Sequence, residues 1–323
     1  MTFAGGGVPS LMSDGRVLIL GLDYDKAEVY DPGTGTFIST PLPMLPTFNS
    51  YKPLVDGRVL LLDTEGRPYV YDPASGMLST AGSMKIARLY FGAAELANHD
   101  VLILGGTDTA NTQYITAAEI YDPATGKTST TGSMAEGCES FSATLLKNGD
   151  MMIAGGERQQ DSGDDVFLSS AEIYNPGAGK FTSTGSMHTA RSQFNATLLQ
   201  DGRVLIAGGV GDGIQPLASA EIYDPNTGKF TKTGSMSIPR VNFTSTLLPD
   251  GRVLIAGGDD LGPPTYYASA EIYDPHTGTF TRTGSMLEPR SEHGDFLLPD
   301  GRVLIYGGLN NSGYLTSAEL YWP

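Results

Sequence analysis

A short phrase returns along the whole chain: AEVYDP ends at Pro32, YVYDP at Pro73, AEIYDP at Pro123, AEIYNP at Pro176, AEIYDP at Pro225 and again at Pro275, and AELYWP at Pro323. Its tyrosines, Tyr30, Tyr71, Tyr121, Tyr174, Tyr223, Tyr273 and Tyr321, stand 41, 50, 53, 49, 50 and 48 residues apart. A period of that length belongs to arrays of small β-sheets, each too small to bury both of its faces alone.

Each tyrosine follows a second recurring block: GRVLILG from Gly15, GRVLLLD from Gly57, DVLILGG from Asp100, GDMMIAGG from Gly149, and GRVLIAGG or GRVLIYGG from Gly202, Gly251 and Gly301. The fullest copy reads as four strands, NFTSTLL over 242–248, RVLIAGG over 252–258, ASAEIYDP over 268–275 and TFTRTGSM over 279–286. The first alternates polar and apolar side chains, and the Pro-Asp-Gly between it and the β-branched second run is a tight-hairpin signal. Asp-Pro-x-Thr-Gly joins the third to the fourth, where proline presets φ and glycine accepts a positive one. Sheets of this kind must stack, and at this number they close on themselves. The expected fold is therefore all-β, a seven-bladed β-propeller of four-stranded antiparallel blades. One domain over 1–323 is expected, because a ring divides its core among blade interfaces. Only six fourth strands are found, so the last blade is expected to lack its outer strand, leaving an edge at 317–321 for the segment 1–4, another chain, or residues of a longer natural protein to cover.

A double glycine after an apolar strand, then a tyrosine, then an aromatic beyond a turn, as in Gly257-Gly258, Tyr273 and Phe280, resembles the Kelch repeat over essentially all 323 residues. The tryptophan usual in that repeat is replaced by Phe37, Phe181, Phe230 and Phe280, and by Met77 and Thr128 in two blades; Leu62-Asp63 replaces the paired glycines in blade two.

The net charge of −16 argues against a nucleic-acid partner, which requires a basic footprint. Much of the acidity belongs to the repeat itself, so it does not indicate a cationic ligand. No 18-residue apolar span is present, so no membrane span is expected. Cys138 alone provides neither a disulfide framework nor a metal cluster. No signal peptide is read before the first blade. The compartment is thus left open, with a secreted or cell-surface setting favoured over a cytoplasmic one, and a monomer is expected.

The first-to-second and third-to-fourth connections are short and uniform. The second-to-third and fourth-to-first connections are longer and differ between blades, so the expected ligand face is theirs. On it an arginine recurs four residues after the GSM methionine, at Arg88, Arg191, Arg240 and Arg290, with Cys138 in its place in blade four. These guanidinium groups are either clamps for a carboxylate or phosphate, or scaffold bonded to loop carbonyls and a neighbouring blade's acid. Side chains confined to one blade are the better candidates. Glu136, Cys138 and Glu139 enter blade four, His188 enters blade five, Glu292, His293 and Asp295 enter blade seven, and Asp259, Asp260, Tyr266 and Tyr267 lie on the blade-six loop. Acids beside tyrosines suit a sugar or peptide. The expected ligand-binding set is Arg88, Arg191, Arg240, Arg290, Glu139, Glu292, His293, Asp259, Tyr266 and Tyr267, with a protein, peptide or glycan as partner.

No metal and no cofactor is expected. His99 and His276 fall on the short-turn side, apart from His188 and His293, and no close ligand spacing occurs. The DGRV and GG blocks are also similar to the propeller of galactose oxidase-type copper oxidases. There Arg290-Ser291-Glu292-His293 resembles the family's Arg-x-Tyr-His segment, with Glu292 where the ligand tyrosine belongs and Gln193 near where the crosslinked tyrosine would sit. Neither a sialidase Asp box nor a Gly-x-Ser-x-Gly elbow is present. An enzyme of the oxidase-like or glycan-processing type, with part of its active site elsewhere, is the alternative reading.

Overall fold

The near-continuous apolar blocks form the second strand of every sheet: Val17–Gly21, Val59–Asp63, Val101–Leu104, Met151–Ala154, Val204–Ala207, Val253–Ala256 and Val303–Tyr306, each buried along its length. The computed structural model describes residues 7–12, 14–21, 26–41, 48–54, 56–63, 67–110, 113–159, 164–262 and 265–323. Among these residues there is no helix, and the blades comprise six four-stranded antiparallel sheets and one three-stranded sheet. The fold is a seven-bladed β-propeller.

Blade six shows the plan. Its strands Thr244–Leu247, Val253–Ala256, Ala270–Asp274 and Thr279–Arg282 pair in chain order, with Val253 opposite Tyr273 and Tyr273 opposite Phe280. Side chains alternate across a strand, which explains why the second one can be apolar throughout: Val253 and Ile255 enter the core shared with blade five, Leu254 and Ala256 the core shared with blade seven. Blade seven consists of Gly294–Leu297, Val303–Tyr306 and Ala318–Tyr321, three strands as expected. The segment 1–4, expected to cover its edge, lies outside the described residues.

The repeat tyrosine is almost wholly buried in each four-stranded blade, and in four of them its ring lies 4.7–4.9 Å, centroid to centroid, from the phenylalanine opposite, tilted by 44–48°. Thr128 takes that place opposite Tyr121. In blade two the register corrects the expectation: Leu78, not Met77, faces Tyr71, while Met77 faces Asp72 and is 67% exposed.

The chain divides into two compact units, Met1–Leu42 with Gln193–Asp224 and Phe230–Pro323, and Pro43–Ser192 with Pro225–Lys229. In the first, the inner strands Asn195–Leu198, Thr244–Leu247, Gly294–Leu297 and Gly7–Leu11 are neighbours in that order. Apolar cores fill its junctions of blades five with six, six with seven, and seven with one. In the second, Phe48–Pro53, Gly92–Glu95 and Ser142–Leu145 are neighbours, with cores between blades two and three and between three and four.

On the short-turn side each Asp-Gly-Arg turn is closed on itself, as where Arg203 Nε donates to Asp201 Oδ2 at 2.7 Å. The same arginine reaches onward to the Asp-Pro turn of the following blade. Arg58 Nη2 donates to the Pro123 carbonyl at 3.3 Å, Arg203 Nη2 to Pro275 at 3.3 Å, and Arg302 Nη2 to Pro32 at 3.2 Å.

Candidate functional site

The segment entering each blade has one local grammar. In blade six it runs Arg240, Val241, Asn242, Phe243, and each position has its own task. Arg240 is wholly buried. Its Nη1 donates to the carbonyls of Gly257 (2.8 Å) and Ser269 (2.9 Å), and its Nη2 to Ser269 Oγ (2.9 Å) and Glu271 Oε1 (3.1 Å). Val241 forms a bridge with Asp259 across the loop. Asn242 turns outward with φ +52°, and Phe243 wedges inward against Gly208.

Blade seven repeats this. Arg290 donates to the carbonyls of Gly307 (2.7 Å) and Ser317 (3.2 Å), and to Glu319 (3.0 Å), Ser291 bridges Leu309, and Glu292 has φ +52°. In blade three Arg88 donates to the carbonyls of Gly105 (3.1 Å) and Ala117 (3.0 Å) and lies 3.6 Å from Glu119. The partner acid also secures the preceding chain: Glu271 accepts from Ser237 N at 2.9 Å, Glu119 from Lys85 N at 2.8 Å, and Glu319 from Leu287 N at 2.7 Å.

The four arginines expected as clamps, Arg88, Arg191, Arg240 and Arg290, are all 0% exposed. In the three whose pairing is described, the partners are carbonyls and the acid of the arginine's own blade rather than a neighbour's, while Arg88 Nη2 and the Nε of Arg240 and of Arg290 are buried without a hydrogen bond. Such a guanidinium is an internal cross-tie and has no open face for a ligand. Tyr267 caps one of them, its ring centroid 5.5 Å from Arg240 Cζ. His293 is also placed inward. It stands where Phe91, Phe141, Phe194 and Phe243 stand in other blades, is 7% exposed, and lies 3.1 Å through Nε2 from Thr244 Oγ1. Burial, with Arg290 beside it, holds its imidazole down to about 3, so it is neutral near pH 7.

The residue two places after each arginine or its substitute, Tyr90, Ser140, Gln193, Asn242 and Glu292, has φ of +51 to +54°; Tyr90, Gln193 and Glu292 are exposed, Ser140 and Asn242 half-buried. A non-glycine residue held in the left-handed region costs on the order of 1 kcal/mol or more, and such residues cluster at binding sites. Sequence reading missed these positions as a set because they share no residue type. The signal available was their fixed offset from the recurring arginine.

In the first unit Glu292 is exposed, and its amide donates to the Asn242 carbonyl at 3.0 Å. Burial of its carboxyl, then the nearby Asp259, raises its pKa. Asp259 itself is 5% exposed and accepts from Asn242 Nδ2 (3.0 Å), from Leu261 N (2.9 Å) and from Ser291 Oγ. It therefore holds the positions of Asn242 and Ser291 rather than facing a ligand. Tyr266 is half-buried in the adjoining loop. In the second unit Glu139 is half-buried and bridges Glu157, and burial followed by Glu157 and Asp165 raises its pKa. Among the described residues no group of three or more His, Cys, Asp or Glu side chains is placed to hold a metal ion. Asn195 and Asn242, at or just before the starts of inner strands, have their amides engaged, Asn195 with the Phe243 carbonyl at 2.8 Å and Asn242 with Asp259.

A family model described as the Kelch motif matches residues 195–237, the span of blade five. No curated protein matches the chain. Among solved structures the chain is similar to one titled a novel fungal alcohol oxidase with catalytic diversity among the AA5 family, in complex with copper, at 18% identity and a TM-score of 0.79, over 99% of this chain and 74% of that one. The likeness is one of fold. In the Arg290-Ser291-Glu292-His293 segment, which resembles a copper-ligand motif, Glu292 stands where a tyrosine is expected, as does Gln193 in blade five, and the imidazole of His293 is wedged against Gly257 and Gly308 with Nε2 engaged by Thr244. These residues do not fit a copper centre.

Proposed function

We propose that the protein is a binding module that recognises a protein, peptide or glycan through its second-to-third and fourth-to-first loops. The observation that carries this is the set of outward left-handed positions. One backbone conformation, at a fixed offset from the recurring arginine or the cysteine that replaces it, is shared by Tyr90, Ser140, Gln193, Asn242 and Glu292, five different chemistries. A rigid mount with variable side chains is how loops on a scaffold acquire specificity. In the first unit the recognising groups are Glu292, Asn242 and Tyr266, an acceptor, an amide and an amphipathic ring, suited to hydroxyl and amide donors.

Peptide and glycan panels identify a ligand, and calorimetry then compares variants. Glu292→Ala and Tyr266→Ala each weaken it about tenfold or more, in the range of interface residues that matter. His99→Ala and His276→Ala, on the short turns, leave it unchanged. Equal losses from both groups of variants overturn the assignment of the face.

The likeness to a copper oxidase supports a second reading, an enzyme. It predicts stoichiometric copper and alcohol turnover after copper loading. The binding reading predicts neither, and it fails if a radical absorption or a thioether-linked Cys138 peptide appears.

A further inference from the structure

Three blades hold a guanidinium in the same cage of acceptors, and a fourth has the cage without the arginine. In blades three, six and seven the cage is the carbonyl of the first paired glycine, the carbonyl two residues before the repeat glutamate, and that glutamate's carboxylate. The corresponding groups of blade four are Gly155, Ser170 and Glu172. Cys138 stands where the arginine does. Its thiol reaches only the Gly155 carbonyl, at 3.8 Å.

The short side chain leaves a cavity of about 270 Å³ lined by Cys138, Gly155, Ser170, Glu172, Glu136 and Ser183 among others. Its lining carries two carboxylates and no cation, and Arg158, close enough to act on the thiol, is not part of it. Unlike Glu119 and Glu271, at 0% and 1% exposure, Glu172 is half-buried, and Ser170 is exposed, so the cage opens to solvent. Burial pushes the Cys138 thiol up to about 12, so it adds no negative charge of its own. The volume lies just below the range of roughly 300–1,000 Å³ typical of small-molecule pockets, which suits one side chain or fragment rather than a glycan.

We infer that the blade-four cavity is a binding site for a guanidinium group, with Glu172 as counter-ion and the Gly155 and Ser170 carbonyls as further acceptors. The acceptor fork favours a planar guanidinium over a compact ammonium. The negative rim of Glu136 disfavours a free α-carboxylate, so an arginine within a peptide is the preferred source over free arginine. The site is built from residues of the second unit, whereas Glu292 and Tyr266 belong to the first, and it does not depend on the reading of those residues.

The test is calorimetric or NMR titration of the full chain with N-acetyl-arginine methylamide, free arginine, and the lysine and citrulline counterparts of the amide. The arginine amide is expected to bind at least tenfold more tightly than the neutral citrulline amide, and more tightly than the lysine amide. Tighter binding of the blocked than of the free amino acid assigns the site to a peptide, and the reverse to a metabolite. Cys138→Arg, which copies the other blades and fills the cage, is expected to abolish binding and to raise the midpoint of thermal unfolding. Glu172→Gln is the second variant, expected to lower affinity at least tenfold while keeping the fold. Equal binding of citrulline and arginine, unchanged affinity in either variant, or no binding at millimolar concentration overturns the inference. Glu292→Ala, which tests the loop reading, is expected to leave arginine binding unaltered, so the two readings fail separately.

Discussion

Arg240 and Glu271 are buried at 0% and 1% exposure, and each is the other's counter-charge. Arg240→Leu strands the carboxylate, and loss of one member of a buried pair costs about 3–5 kcal/mol. Urea unfolding of that variant should fall by this amount, while a Leu–Met replacement of both members should recover much of it. His293 offers a second test at this scale. Its ordinary value is 6.5 and its folded value about 3, so the folded state binds fewer protons than the unfolded chain between these limits. Stability is therefore complete above about pH 6.5 and falls as the pH drops toward 3. His293→Phe, the residue of four other blades at this position, should flatten that slope in pH-dependent denaturation. Asp295, whose buried carboxyl is raised, acts with the opposite sign, so the difference between variant and parent is the readout. The arginines were legible as repeats with scaffold as one of two roles, but the choice between the roles, and the pairing with the acid of the same blade rather than a neighbour's, was not, because the acceptors come from strands distant in sequence. The left-handed positions were illegible for a related reason: the geometry is common to them and the side chains are not.

The strand is where sequence reading went furthest. Apolar blocks, Asp-Gly turns and the tyrosine interval give every strand of blade six to within a few residues, because period-two packing leaves little choice once both faces are buried. It failed by one residue in blade two, where Met77 and Leu78 are both apolar and only the pairing with Tyr71 decides between them. Thr128 is the weak point of blade three. It faces Tyr121 without an aromatic partner, and its hydroxyl is buried with no hydrogen bond. Thr128→Phe restores the pair found in four blades, and chemical denaturation should show a gain of about 1 kcal/mol. Gly257 marks the opposite limit. With φ +66° and the Arg290 carbonyl and His293 ring each 2.5 Å from where a Cβ would sit, it leaves no room for a side chain. Gly257→Ala should destabilise by several kcal/mol, as overpacking and a strained left-handed φ add.

At the scale of the whole chain, stability rests on junctions rather than on one core: within the two units apolar cores fill those of blades five with six, six with seven, seven with one, two with three and three with four, and in blades two, five and seven an arginine latches the following turn. Arg58→Gln and Arg203→Gln lie in different units, so their effects on the unfolding midpoint should be small and should add in the double variant. A combined loss far from the sum would mean that the latches cooperate. The latch is also directional, each of these three blades grasping the one after it by a contact made to a proline carbonyl, which the turn supplies whatever its other residues. A blade held in this way is indifferent to which copy follows it. Inheritance can then work blade by blade: GRVLIAGG occurs at both Gly202 and Gly251, and unequal exchange between two such stretches removes or duplicates a single repeat while the Asp-Gly-Arg turn common to both is kept.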